Sequence, residues 1–318
     1  MGAAVEHDRP RIVILLGPTG IGKSKLAIDW AEAIGGEIVS ADSVQVYRYM
    51  DIGTGKPSRD DQGRVRHHLI DLVPPDQPFH AALYRTLGRK TIDQLFHEGK
   101  LIWVVGGTGL YIKTLTQGLF HSPKIDPQAR ESLRQEAGKK GAGALYERLK
   151  KVDFQTASRL HPNDLFRIIR ALEVFDSTGV PISSYREQHC FGERPYLTLK
   201  IGLETNRDKL FRRIDERVDQ MVEKGLLQEV ERLMEMGYGP ELKPMQSLGY
   251  KQMVQFLLKE IGWDEAVRQM KRDTRHYAKR QWTWFKADPE VRWWDESTDR
   301  QKLFLSIQSF WGRGGPMT

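Results

Sequence analysis

The sequence predicts an α/β fold, a parallel sheet flanked by helices, with a mainly helical insertion. Three observations predict it. Short β-branched runs alternate with helically spaced segments between Arg11 and Gly109, the pattern of strands joined by crossover helices. The first run leads directly into a glycine-rich loop and then a helix. Between Ser122 and Leu199 strand signals thin out while helical segments continue, over a stretch too long for a loop.

RIVILL (Arg11 to Leu16) reads as a buried strand. KLAIDWAEAI has helical spacing, with Leu26, Ala27, Trp30 and Ala33 on one face, and Gly35-Gly36 ends it. GEIVSADS is a second strand that closes on polar residues, and HHLIDLV is a third candidate, stopped by PPDQP. AALYRTLGRKTIDQLFHEG is an amphipathic helix, and KLIWVVGGTG an apolar strand ending in glycines. Within the insertion LYERLKKVD, FQTASRL and DLFRIIRALEVFDSTG read as helices, broken at HPND and TGVP. TLKIGLE returns as a strand. RDKLFRRIDERVDQMVEKG, LLQEVERLMEMG and the segment Asp264 to Lys286 are further helices. The expected organisation is a core of residues 1–120 and 200–290, an insertion of residues 121–199, and a weakly patterned tail of residues 291–318. No internal repeat or low-complexity segment stands out.

Of the 318 residues, 39% are hydrophobic and 29% charged, a globular composition rather than a disordered one. No apolar run reaches the roughly 18 residues of a membrane span, and the first residues lack a cleavage-site pattern, so no signal peptide is expected. One cysteine, Cys190, excludes an internal disulfide and a cysteine-cluster zinc site. A cytoplasmic protein without membrane contact is expected. The net charge of +7 is compatible with a polyanionic partner.

GPTGIGKS, made of Gly17, Pro18, Thr19, Gly20, Ile21, Gly22, Lys23 and Ser24, fits G-x-x-x-x-G-K-S/T between a strand and a helix. That context makes the core P-loop NTPase-like. Loop N–H groups and the helix N-terminus suit phosphate, Lys23 adds a point charge, and the Ser24 hydroxyl is a candidate Mg²⁺ ligand. The usual strand-end aspartate is missing from LIWVVGGTG, which leaves Asp42 and Asp71 as candidates. Asp42 closes its strand at the carboxyl edge, where ligands of open α/β sheets bind. It could hold magnesium, accept a proton, or simply cap the next element. Thr108, in VVGGTGLY, could contact a phosphate or substrate, or belong to a tight turn. His67 and His68 are adjacent on a strand, hence on opposite faces, and do not make one metal site. Arg213 and Arg217 lie four apart on one helix face. Either could clamp a pyrophosphate or pair with Asp215, Glu216 or Asp219. From Lys271 onward, Arg272, Arg275, His276, Lys279 and Lys286 form a cationic stripe suited to a phosphate backbone, with Tyr277, Gln281, Trp284 and Phe285 towards another side. Those aromatics read as a core face, while the stripe, Arg275 and Lys279 included, is expected to meet RNA.

Seven strings, GPTGIGKSKLA, SADSVQVYRYMDIGTGKP, HHLIDLVPP, VVGGTGLYIKTL, RIIRALEVFDSTGVPIS, RRIDERVDQM and TRHYAKRQWTWF, together resemble the bacterial tRNA dimethylallyltransferases, or tRNA isopentenyltransferases. They run in family order across about residues 11 to 286. The resemblance implies transfer of a dimethylallyl group from dimethylallyl diphosphate to N6 of adenosine 37, next to the anticodon. The phosphate held by the loop is then a leaving group. It implies Mg²⁺ as cofactor and, as partner, tRNA carrying adenosine 36 and 37. It implies Asp42 as the base, Thr108 beside the reacting atoms, Arg217 and the loop as diphosphate ligands, and a target base flipped into a channel. Family tRNA contacts fall on Asp42, Ser43, Val44 and Gln45, on Phe166, Arg167, Ile168, Ile169 and Arg170, on Gln246, Gly249, Tyr250 and Lys251, and on Arg130. The insertion is expected to grip the anticodon stem-loop. There are departures: Gly20 stands where the family often has alanine, Gln252 where it usually has glutamate, and no zinc-finger extension follows.

Two other readings compete. A small-molecule enzyme on this scaffold, an adenylate isopentenyltransferase or a nucleoside phosphate kinase, would need neither the insertion nor the basic helix. A GTPase-like RNA-binding factor would need an N-K-x-D-type sequence, which is absent. A monomer is expected, since nothing in the sequence demands a dimer.

Overall fold

A computed structural model describes residues 9–119, 127–189, 191–295 and 300–312. Cys190, the extreme N-terminus and the last six residues, on which sequence expectations were placed, lie outside them. The chain divides into two compact units, Met1–Thr116 with Arg194–Thr318, and Gln117–Glu193.

The first unit is built on six parallel strands: β1 (Arg11–Leu16), β2 (Gly36–Ser40), β3 (His67–His68), β4 (Leu101–Gly106), β5 (Leu197–Glu204) and β6 (Val291–Asp295), in the order β3-β2-β4-β1-β5-β6. Its helices are α1 (Lys23–Ile34), α2 (Arg59–Arg64), α3 (Ala81–His97) and α4 (Gly109–Gln117), the last reaching the boundary between units. The second unit carries α5 (Pro127–Lys140), α6 (Ala142–Val152), α7 (Phe154–Ala157), α8 (Leu165–Thr178) and α9 (Ile182–His189). The first resumes with α10 (Arg207–Glu223), α11 (Leu226–Glu235), α12 (Tyr250–Leu257), α13 (Trp263–Lys286) and α14 (Arg300–Phe310).

β1 is apolar almost throughout because helices cover both sheet faces. Ile12, Ile14 and Leu16 pack on the side of α3 and α10 to α13, while Val13 and Leu15 pack on the side of α1 and α14. Since every strand runs the same way, all carboxyl ends reach one edge. Gly17, Asp42, Gly107, Thr108 and Thr205 therefore follow strands along that edge.

Three expectations change. HHLIDLV pairs with β2 only through His67 and His68, because Leu69 and Asp71 turn away at φ 62° and 53°. Leu72 N–H then bonds Val46 O at 2.8 Å, so this segment lines the loop after β2 rather than extending the sheet. FQTASRL provides only the single turn α7. Residues 291–295 and 300–312 do not form a mere tail. β6 closes the sheet beside β5, where the buried Lys200 ammonium pairs with Asp288 and Glu290 at 2.7 Å each. α14 buries Leu303 and Ile307 in the cluster that holds Trp30 and Trp103. The boundaries shift accordingly, from 121–199 to Gln117–Glu193 for the insertion. That unit has its own core of Leu133, Leu145, Leu149, Ile168, Leu172 and Ile182.

Candidate active site

The loop after β1 bends through Gly17, Gly20 and Gly22, all at positive φ, and delivers the uncapped N-terminus of α1 to the sheet edge. Lys23 folds back over it, its Nζ donating to Gly17 O at 2.9 Å and Pro18 O at 2.8 Å. Burial and the nearby Arg217 push its ammonium down to about 7, against an opposing pull from Asp42. Arg217, on α10, is likewise depressed by burial, with Asp42 opposing. Among the described residues no carboxylate pairs with Arg217. Asp215 and Asp219, the expected helix partners, instead face α13: Arg275 Nη1 meets Asp215 at 2.5 and 2.7 Å, and Lys271 meets Asp219 at 2.7 Å. Two half-buried cations thus line one pocket, an arrangement that favours an anion.

Room for Arg217 comes from Gly55, at φ 59°, where an added Cβ would fall 1.9 Å from Nη2 of the guanidinium. The loop around Gly55 is fixed by Glu229, a 1% exposed carboxylate. It accepts the amides of Asp51, Ile52 and Gly53 at 2.8–3.2 Å and the Tyr250 hydroxyl at 2.6 Å. Gln45 donates to Thr54 O and Gly55 O at 3.4 and 3.3 Å and takes the Ser40 hydroxyl at 3.0 Å.

Asp42 follows β2. Its Oδ1 accepts Val44 N–H at 2.8 Å and Gln45 N–H at 3.2 Å, which turns the chain and fixes the carboxylate. Thr108, after β4, accepts Ser43 N–H at 3.0 Å and donates its own N–H to Ala41 O at 3.1 Å. Asp42, Thr19, Arg217 and Tyr277 stand between two cavities. One, about 370 Å³, contains Gly20, Gly22, Lys23, Ser24 and Gln281. The other, about 560 Å³, contains Val44, Gln246, Lys251, Gln252 and Asp273. A carboxylate therefore separates a cationic pocket from a larger mixed one. Asp71, the other acidic candidate, is held by Lys56 at 2.6 Å.

The structure gives several expected RNA-facing residues other surroundings. Ile168 and Ile169 are 0% and 5% exposed in the insertion's core, since α8 turns that face inward. Tyr250 is fully buried on Glu229. Arg130 forks onto the buried Glu173, with Nη2 at 3.0 Å from Oε2, and Arg170 reaches the same carboxylate at 3.3 Å. Arg275 is spent on Asp215, and Lys279 lies over the Phe211 ring. Phe166 (75% exposed), Arg167 and Lys251 face solvent. Sequence reasoning missed Gly55, Glu229 and the polar role of Gln281. For Gly55 the signal was present in the glycines of DIGTGKP. Among the described residues, no group of three or more His, Cys, Asp or Glu could hold a metal ion. A metal here would depend on a bound phosphate together with Ser24, which is exposed at the first turn of α1.

The chain is similar to known proteins along most of its length. The family model described as IPP transferase matches residues 45–288. A tRNA dimethylallyltransferase of Desulfosudis oleivorans is 50% identical over 95% of this chain and 96% of its own. Another, from Syntrophobacter fumaroxidans, is 53% identical over 89% and 83%. Among solved structures, the full-length tRNA isopentenylpyrophosphate transferase of Bacillus halodurans has a TM-score of 0.71 at 37% identity, covering 96% of each chain. A eukaryotic dimethylallyltransferase, solved acting on tRNA, has a TM-score of 0.80 at 27% identity over 96% of this chain and 80% of that one. Matched by the family model over residues 45–288 and by relatives along nearly its whole length, the chain belongs to the IPP transferase family.

Proposed function

We propose that this chain transfers the dimethylallyl group of dimethylallyl diphosphate to N6 of adenosine 37 in tRNA and releases diphosphate. The observation that carries this reading is Arg217: a half-buried guanidinium without a carboxylate partner among the described residues, lining with Lys23 the pocket that contains Asp42. The diphosphate lies against the loop amides, Lys23 and Arg217. As the allylic C–O bond breaks, negative charge grows on the diphosphate oxygens, where these cations are already fixed. Thr19 contributes its hydroxyl, because its N–H is taken by Gln281 at 2.8 Å. Mg²⁺ bound with the diphosphate, against Ser24, would neutralise further charge on the leaving group.

The adenine enters the larger cavity. Its exocyclic nitrogen attacks the allylic carbon and loses a proton to the Asp42 oxygen not held by the backbone. Thr108 keeps the Ser43 amide, and with it the Asp42 turn, in place. Ser43, Val44, Gln246 and Lys251 border the acceptor, while the insertion offers Phe166 and Arg167 to the anticodon arm. Ring stacking and guanidinium contacts suit unpaired RNA bases and phosphates. No helix among the described residues is long and apolar enough to cross a membrane.

Radiolabelled dimethylallyl diphosphate, Mg²⁺ and an unmodified tRNA with adenosine 36 and 37 test the reading. AMP and a tRNA with guanosine 37 serve as parallel acceptors. Label in the adenosine tRNA alone is expected; label in AMP would replace this reading with the small-molecule one. Asp42→Asn should retain tRNA binding and lose about 10²–10⁴-fold in turnover. Turnover near the parent value would remove Asp42 as the base.

A further inference from the structure

Gln281 lies on α13 and is 6% exposed. Its Oε1 accepts Thr19 N–H at 2.8 Å, and its Nε2 donates to Gly107 O at 2.9 Å. One side-chain amide therefore ties the phosphate loop after β1 to the turn after β4. One helical turn earlier, Tyr277 stands beside Gln281 in the lining of the same pocket, near Thr108. The connection continues from Thr108 through Ser43 N–H and Ala41 O to Asp42. Gly107 is cut to fit: a Cβ there would lie 2.2 Å from the Gln281 Nε2.

We infer that Gln281, seconded by Tyr277, is a positioning residue that sets the spacing between the diphosphate loop and the acceptor side of the site. This rests on the transferase reading above. Three facts favour it over a glutamine that merely fills space. It consumes a phosphate-loop amide that would otherwise face the ligand. Both ends of its amide are satisfied, by two different loops. One of those loops carries the phosphate-binding residues, and the other braces the Asp42 turn through Thr108. Transfer needs the acceptor nitrogen within about 3–3.5 Å of the allylic carbon and in line with the departing oxygen, and a displacement of about 1 Å can cost about 10²-fold. With the two loops uncoupled, the C–O bond can still break, but water competes with the adenine nitrogen. In that side reaction a water oxygen bonds to the allylic carbon, diphosphate leaves with the C–O electron pair, and the water proton passes to solvent, giving dimethylallyl alcohol.

The test uses the full chain with labelled dimethylallyl diphosphate and tRNA. It measures label in tRNA and in alcohol per diphosphate released, kcat and KM for each substrate, and thermal unfolding. Gln281→Met keeps the length and apolar packing but removes both hydrogen bonds. Gly107→Ala displaces the same amide from the other side. Both variants should lower kcat by about 10–100-fold, shift KM for the diphosphate far less, and raise the share of alcohol. Lower Tm or active fraction with unchanged kcat per active site and unchanged partition in both variants would overturn the inference and make Gln281 structural. If the parent itself transfers no label to tRNA, the transferase reading fails and this one with it. An active parent with unaltered partition in the variants removes the inference alone.

Discussion

At the scale of single residues, the site depends on side chains that hold other side chains. Gly55 gives Arg217 its space, so Gly55→Ala should act as a diphosphate-site variant. KM for dimethylallyl diphosphate should rise about tenfold or more, comparable to the loss of a charge-assisted contact of about 1.5–3 kcal/mol. Steady-state kinetics at fixed tRNA would show it, and an unchanged KM would mean that the guanidinium has another route into the pocket. Gln252 is a second case. Its Oε1 accepts Gly249 N–H and its Nε2 donates to Asp273 Oδ2, both at 3.0 Å, in a 1% exposed position. A glutamate, the residue usual in the family at this position, would set two carboxylates against each other here. Gln252→Glu should destabilise the fold by about 1–3 kcal/mol, and Asp273→Asn in that background should recover most of it, because an asparagine amide can donate to the new carboxylate. Thermal unfolding of the three proteins decides; strict additivity would contradict the coupling.

At the scale of elements, α10 and α13 explain why a cationic stripe need not be an RNA surface. Their ion pairs, Arg275 with Asp215 and Lys271 with Asp219, consume the charges that a helical-wheel reading leaves to solvent. The same pairing keeps Asp215 and Asp219 away from Arg217. Arg275→Ala should therefore leave the salt dependence of tRNA binding unchanged. Lys251→Ala, at the mouth of the acceptor cavity, should lower the slope of log K against log salt by about one. Filter binding across salt concentrations tests both. The phosphate loop and Asp42 were legible in the sequence because a strand, a turn and a helix are local and their residues are contiguous. Gln281 was not, since its partner at Thr19 is 262 residues away and a lone glutamine on an apolar helix face reads as core. The edge strand β6 escaped for another reason: five residues, only Val291 of them fully buried, carry little alternation to read.

At the scale of the whole molecule, a parallel sheet gathers distant segments along one edge, and one of them, the phosphate loop, binds its own lysine. Burial and the nearby Arg217 lower the Lys23 ammonium to about 7. A bound diphosphate should restore the charge, so binding should draw a proton from the buffer, increasingly as pH rises. Affinity for the diphosphate should accordingly weaken above about pH 7, where the protonated form of the free protein is scarce. Binding calorimetry in buffers of different ionisation heat measures the uptake directly, and zero uptake would mean that Lys23 stays charged throughout. The consequence reaches into turnover. When diphosphate departs after transfer, the loop hands that proton back, so each catalytic cycle carries a small, reversible proton exchange with solvent that the overall reaction equation does not show.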